Sequence, residues 1–157
     1  MMNVSWPKMT HEAAEAKSTE AIWMLDVAAW FVEEQIAAGR QFIFEHPVSA
    51  RSWVRPNIKA IAEHPTVFQS TFDQCMYGMV SKVTQTPMQK RTMLMSNMPA
   101  VMQEFSGHSC QGGHTHVQIQ GTEGGEKRTT WSQRYPDLLC MAMANCTQRQ
   151  VQLDNIP

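Results

Sequence analysis

Residues 42–47 read Phe42-Ile43-Phe44-Glu45-His46-Pro47, and the reading of this stretch decides the fold. Three consecutive bulky apolar residues mark a short strand buried on both faces. A long helical pattern precedes them, and Gly39-Arg40 separates the two. In an open α/β sheet, ligands bind just beyond the carboxyl ends of parallel strands. Glu45 stands at that end, which makes it the candidate catalytic acid.

Working outward, the chain alternates helix and strand. Ala21, Leu25, Ala28, Val32 and Ile36 recur at steps of three and four, with Thr10 placed to cap the helix and Gly39 to stop it. Trp23, Val27 and Trp30 widen the apolar stripe, so the helix is expected to be covered on much of its circumference. Pro56 opens a second helix carrying Ile58, Ile61 and Ala62. Val67 to Gln74 reads as a second strand, with Phe68, Ser70 and Phe72 on one face. Thr92 to Met95 reads as a third. Asn97 and Pro99 open a short helix reaching Phe105, and Pro136 opens a last one with Leu138, Leu139 and Ala142 as its buried face and a frayed tail after Gln148. This is the βαβ grammar of a parallel sheet. The expected fold is α/β: a partial Rossmann-like unit with a short, mostly parallel sheet of three to four strands flanked by helices. Residues 1–157 form one domain, and 106–134 are a Cys/His/Gly-rich loop region within it.

Composition narrows the function classes. Net charge is −1 over 157 residues, so the chain as a whole carries no polyanion-binding signature. The charges are uneven: residues 11–34 hold six acids, and none falls between Asp73 and Glu104, where Lys82, Lys90 and Arg91 lie. That segment is the candidate nucleic-acid contact. The four cysteines make no compact disulfide framework and follow no signal peptide, which points to a reducing intracellular compartment. No stretch approaches the ~18 apolar residues of a membrane span. Thirteen methionines read as core filling. Trp53, Tyr77 and Trp131 fall in loops, where aromatics mostly cover the ends of a core.

Cys110-x₃-His114-x-His116 places two imidazoles on one side of an extended segment, and Gly112-Gly113 permits a sharp return. Cys75, at the end of the second strand, supplies a fourth ligand. Zinc accepts such Cys₂His₂ ligation. Cys140 and Cys146 sit on a helix and read as packing residues.

Several short segments together resemble a divergent branch of the cytosine-5 DNA methyltransferases found in phage genomes and retroelement polyproteins. They are Gly39 to Pro47, Asp73 to Gly78, Arg91-Thr92 with Asn97, Cys110 with His114 and His116, and Tyr135 to Cys140. Pro87-Met88-Gln89-Lys90-Arg91 is similar to a Pro-Gln-x-Arg segment of that family, although Met93 replaces its second arginine. The resemblance covers roughly residues 20–142. It implies that Glu45 grips the target cytosine and that Gln89 and Arg91 match polar positions of that Pro-Gln-x-Arg segment; with Lys82 and Lys90 of the acid-free segment they make up the candidate nucleic-acid contact. Two parts of the family have no counterpart here: the glycine-rich turn for S-adenosylmethionine and the Pro-Cys nucleophile. The expectation is therefore the C-terminal half of a methyltransferase-like domain, without methyl transfer activity alone. Its missing half, and S-adenosylmethionine with it, would come from a complementary chain or be replaced by a self-dimer. The alternative is a small zinc-stabilised nucleic-acid-binding module of a mobile element.

Overall fold

The structure is a computed structural model and describes residues 9–155. Helix α1 (His11–Ala37) begins at Thr10, whose hydroxyl accepts the Ala13 N–H, and ends at Gly39 in the left-handed region, φ 65°. Strand β1 (Ile43–Pro47) leads through a 3₁₀ turn (Arg51–Val54) into α2 (Pro56–Ala62). Strand β2 (Phe68–Asp73) continues into a second 3₁₀ turn (Gln74–Tyr77), and a polar connection reaches β3 (Arg91–Ser96). Helix α3 (Pro99–Phe105), a two-strand hairpin of β4 (Thr122–Glu123) and β5 (Glu126–Lys127), the single turn α4 (Arg128–Trp131) and α5 (Asp137–Asp154) complete the chain.

The expectation of a parallel, Rossmann-like sheet is overturned. The strand order is β1-β3-β2, and β3 pairs antiparallel with both neighbours. β1 and β2 therefore run in the same direction but do not touch, because β3 lies between them. The unit is a βαβ crossover split by an inserted antiparallel strand. The connection between β2 and β3 explains the direction. A parallel return needs a crossover, usually a helix, and residues 74–90 contain only one 3₁₀ turn. Glu45 consequently sits inside an edge strand opposite Leu94, not at the carboxyl edge of a parallel sheet.

Register sets the two faces. Ile43, Ser96 and Phe68 share one face with Glu45, Leu94 and Ser70, and with Thr92 and Phe72. That face packs against α3 and α5 through Phe72, Leu94, Val101, Phe105, Leu139 and Cys146. Phe44 and Met95 lie on the other face and pack with Ala29 and Val32 of α1 and Ile58 and Ile61 of α2. Helices cover both sides, but the strand begins at Ile43 and its five residues are only half-buried, so the expectation of a strand buried on both faces is met only in part.

Three local expectations also change. The last helix does not fray at Gln148 but runs to Asp154, with Cys146 and Gln150 buried; Leu138 and Cys140 point to solvent. The hairpin and α4 were not expected, because their segments are short and polar. α1 is not covered around its circumference: Trp23 and Trp30 are exposed. Among the described residues no helix is long and apolar enough to cross a membrane.

Candidate metal centre

The loop between α3 and the hairpin, residues 106–121, has no regular secondary structure and is long for an unsupported connection. At its far end Arg128 donates to the Gln120 and Gly121 carbonyls, and two anchors flank the part that carries the candidate ligands. The first part of the loop meets the end of β2, where the Asp73 N–H donates to the His108 carbonyl at 3.1 Å and the Cys110 N–H donates to Asp73 Oδ2 at 2.9 Å. Further on, the Val117 N–H donates to the Pro87 carbonyl at 2.9 Å. Between those anchors the chain turns at Gly112 and Gly113, both at φ 85°, a conformation that residues with a Cβ rarely adopt. The turn returns His114 and His116 onto Cys110.

Cys110 Sγ lies 3.5 Å from His114 Nε2 and 3.6 Å from His116 Nε2, and the two Nε2 atoms are 2.8 Å apart. Cys75, on the 3₁₀ turn that follows β2, completes the group, and all four ligand atoms lie within 4.8 Å of one another. Tetrahedral zinc with Zn–S ~2.3 Å and Zn–N ~2.0–2.1 Å has sulfur–nitrogen edges of ~3.6 Å and nitrogen–nitrogen edges of ~3.3 Å. The two sulfur–nitrogen distances already match, and the imidazoles need to spread by only about half an ångström. Cys75, Cys110, His114 and His116 could thus hold a metal such as zinc.

Without a cation the cluster is a poor place for charge. Burial, a hydrogen bond with Cys110 and the nearby Cys110 and Asp73 charges push the Cys75 thiol up to about 12. A divalent ion reverses this logic, because a coordinating thiol is deprotonated outright. Asp73 is almost wholly buried, with Oδ1 lacking a hydrogen-bond partner. Its Oδ2 holds the Cys110 backbone beside the four clustered side chains.

Glu45 has a different setting. Its Oε2 accepts a hydrogen bond from the Tyr135 hydroxyl, and its Oε1 is buried without a partner. Lys90 feels the Glu45 charge, but its Nζ donates to the Ser132 carbonyl at 2.9 Å and stands 5.6 Å from the centre of the Tyr135 ring. Burial lowers the Lys90 pKa and raises that of Tyr135. His46 is held below its ordinary value by burial, and it bonds Ser52. The sequence carries no sign of the Glu45–Tyr135 contact, which joins residues ninety positions apart.

The nucleic-acid candidates do not form one free basic patch. Lys82 is paired with Glu126 at 2.9 Å and lies over the Trp131 ring, and Lys90 is turned inward as described. Gln89 and Arg91 remain exposed. Trp53 is half-buried against Phe44, whereas Tyr77 does not cover a core end but is buried within the core against Phe72 and Phe105. Trp131 donates its indole N–H to the Val80 carbonyl at 2.9 Å. No family model, no curated protein and no solved structure matches this chain.

Proposed function

We propose that this protein is a zinc-stapled interaction module. Cys75, Cys110, His114 and His116 bind one Zn²⁺, and the ion fixes loop 106–121 against the end of β2. The observation that carries this reading is the convergence of two cysteines and two histidines, from segments more than thirty residues apart, to within 4.8 Å of one another, with both Cys110–histidine distances at tetrahedral values. Two thiolates and two imidazoles are the soft and borderline donors that select zinc among common divalent ions. Four protein ligands fill the tetrahedron and leave no position for water or substrate, so the ion is structural rather than catalytic. A methyltransferase-like site would need Glu45 at the carboxyl edge of a parallel sheet. The antiparallel sheet has no such edge, and the geometry favours the zinc-stabilised alternative.

The test is elemental analysis of the purified chain together with cobalt substitution. One equivalent of zinc, and a cobalt derivative with tetrahedral d–d bands and thiolate charge-transfer absorption, is the expected result. Both signals should be lost in Cys110→Ser and His116→Ala. Octahedral cobalt spectra, or zinc retained at full stoichiometry by both variants, would remove the proposal.

A further inference from the structure

Helix α1 has two apolar faces, and only one of them is used. Ala29 and Val32 are buried against α2 and the sheet. On the opposite side Trp23, Met24, Trp30 and Phe31 are 65, 59, 54 and 55% exposed. Trp23 and Trp30 are seven residues apart, as are Met24 and Phe31, so the four side chains form one stripe along the helix, with Val27 half-buried between the rows. Trp30 and Phe31 touch, ring centres 4.9 Å apart. Together these side chains offer on the order of 500 Å² of apolar surface, at the upper end of what a monomeric protein leaves uncovered in one patch.

Charge identifies the occupant. α1 carries six acids and one lysine. Asp26 is engaged by Arg55 at 3.2 Å and Asn57 at 2.8 Å, on the α2 side. Glu12, Glu20 and Glu34 lie on the same side of the helix as the aromatic stripe, at helical steps from Trp23 and Trp30, and none has an ion-pair partner among the described residues. A second copy of α1 fits this pattern badly. An antiparallel pair centred on Val27 sets Trp23 against Phe31 and Met24 against Trp30, but it also sets Glu20 against Glu34 at both ends. A parallel pair brings each glutamate beside its own copy. Like charges so placed oppose association.

We infer that the exposed face of α1 docks a basic amphipathic helix, whose apolar side covers Trp23, Met24, Trp30 and Phe31 while its lysines or arginines meet Glu12, Glu20 and Glu34. This is the helix-in-groove mode of recognition with electrostatic selection of the partner. It does not depend on the metal, because α1 lies on the opposite side of the sheet from α3 and α5.

The probe is an 18-residue amphipathic peptide of leucine and lysine, with a leucine–glutamate peptide of the same pattern as its counterpart, titrated into the full chain by calorimetry. The lysine peptide should bind one to one, with affinity that falls as salt rises. The Trp23→Ser/Phe31→Ser variant should bind at least about tenfold more weakly. Glu20→Lys/Glu34→Lys should also weaken binding and flatten its salt dependence. Both pairs alter exposed side chains, and an unchanged circular dichroism spectrum confirms that the variants fold. Equal binding of the glutamate peptide would overturn the inference, as would absence of binding. So would a dimer seen by light scattering that Trp23→Ser/Phe31→Ser abolishes, since a second copy would then be the occupant.

Discussion

Removing the proposed zinc should cost this fold several kilocalories per mole. A ligand that binds only the folded state stabilises it by RT ln(1 + [L]/Kd), which is about 4 kcal/mol at a free zinc concentration a thousandfold above Kd. The geometry supports near-full linkage. The four ligands come from residues 75 and 110–116, so an unfolded chain would have to close a loop of more than thirty residues to reproduce the site. For a chain of this size each kcal/mol moves the thermal midpoint by roughly 2–4 °C, and zinc saturation should therefore raise the midpoint by about 10 °C. Differential scanning fluorimetry of chelator-stripped protein, with zinc added back in steps, measures it. The shift should grow with the logarithm of free zinc and vanish in Cys110→Ser/His116→Ala. Binding of one zinc with no change in midpoint would mean that the unfolded chain holds the ion equally well, and the staple argument would fail.

Asp73→Ala should lower zinc affinity about 10–100-fold without removing a ligand, because the Cys110 backbone loses its carboxylate anchor; competition with a chromogenic chelator reads this, and an unchanged affinity refutes it. Tyr135→Phe should cost about 1 kcal/mol in urea unfolding, since the Glu45 carboxylate, already with one oxygen unpaired, loses its only described hydrogen bond; an unaltered midpoint would show that solvent replaces the phenol. His46 adds a pH dependence. Burial, the largest cause, holds its folded pKa below 6.5 against the opposing pull of Glu45, so the unfolded chain binds the proton more readily. Its contribution to stability is fully present above about pH 6.5 and is lost as pH falls through the lowered folded value. His46→Asn should therefore lose less stability than the parent between about pH 7.5 and pH 5.5, and parallel losses in urea midpoints would assign the acid sensitivity to other groups.

The sequence disclosed elements more readily than their arrangement. Periodicity is a local property, so α1, α2, α3, the three main strands and the start of α5 could be read within a few residues of where they fall. The metal quartet was legible for a similar reason. Three of its members lie within seven residues around a glycine pair, and Cys75 closes a strand whose end the pattern had already marked. Strand direction is non-local. The alternation of helix and strand suggested a continuous parallel sheet, while the decisive signal was the lack of any helical pattern between Asp73 and Arg91. The aromatic stripe of α1 misled because periodicity reveals that a face is apolar but not what covers it. The Glu45–Tyr135 contact depends on where α5 begins relative to β1, which no local pattern encodes.

The proposed zinc site and the sheet edge belong to one problem. β2 is an edge strand, and its outward N–H and C=O groups would pair with any extended chain unless covered. In this fold the segment leading to Cys110 supplies that cover at the strand's last residue, through the Asp73–His108 backbone bond and the Asp73–Cys110 side-chain bond. Both contacts belong to a loop without secondary structure, which beyond Cys110 is held by the Val117–Pro87 bond and by Arg128 on the Gln120 and Gly121 carbonyls, so that residues 111–116 depend on the proposed zinc. Stripping the metal should therefore do more than lower a midpoint: it should free the end of β2. Hydrogen exchange should localise the first loss of protection to residues 73 and 106–117, ahead of β1 and β3, and light scattering should record slow association of the apo chain that zinc reverses early. Uniform loss of protection across the whole sheet on chelation would instead mean that the ion supports global folding and does not selectively guard that edge.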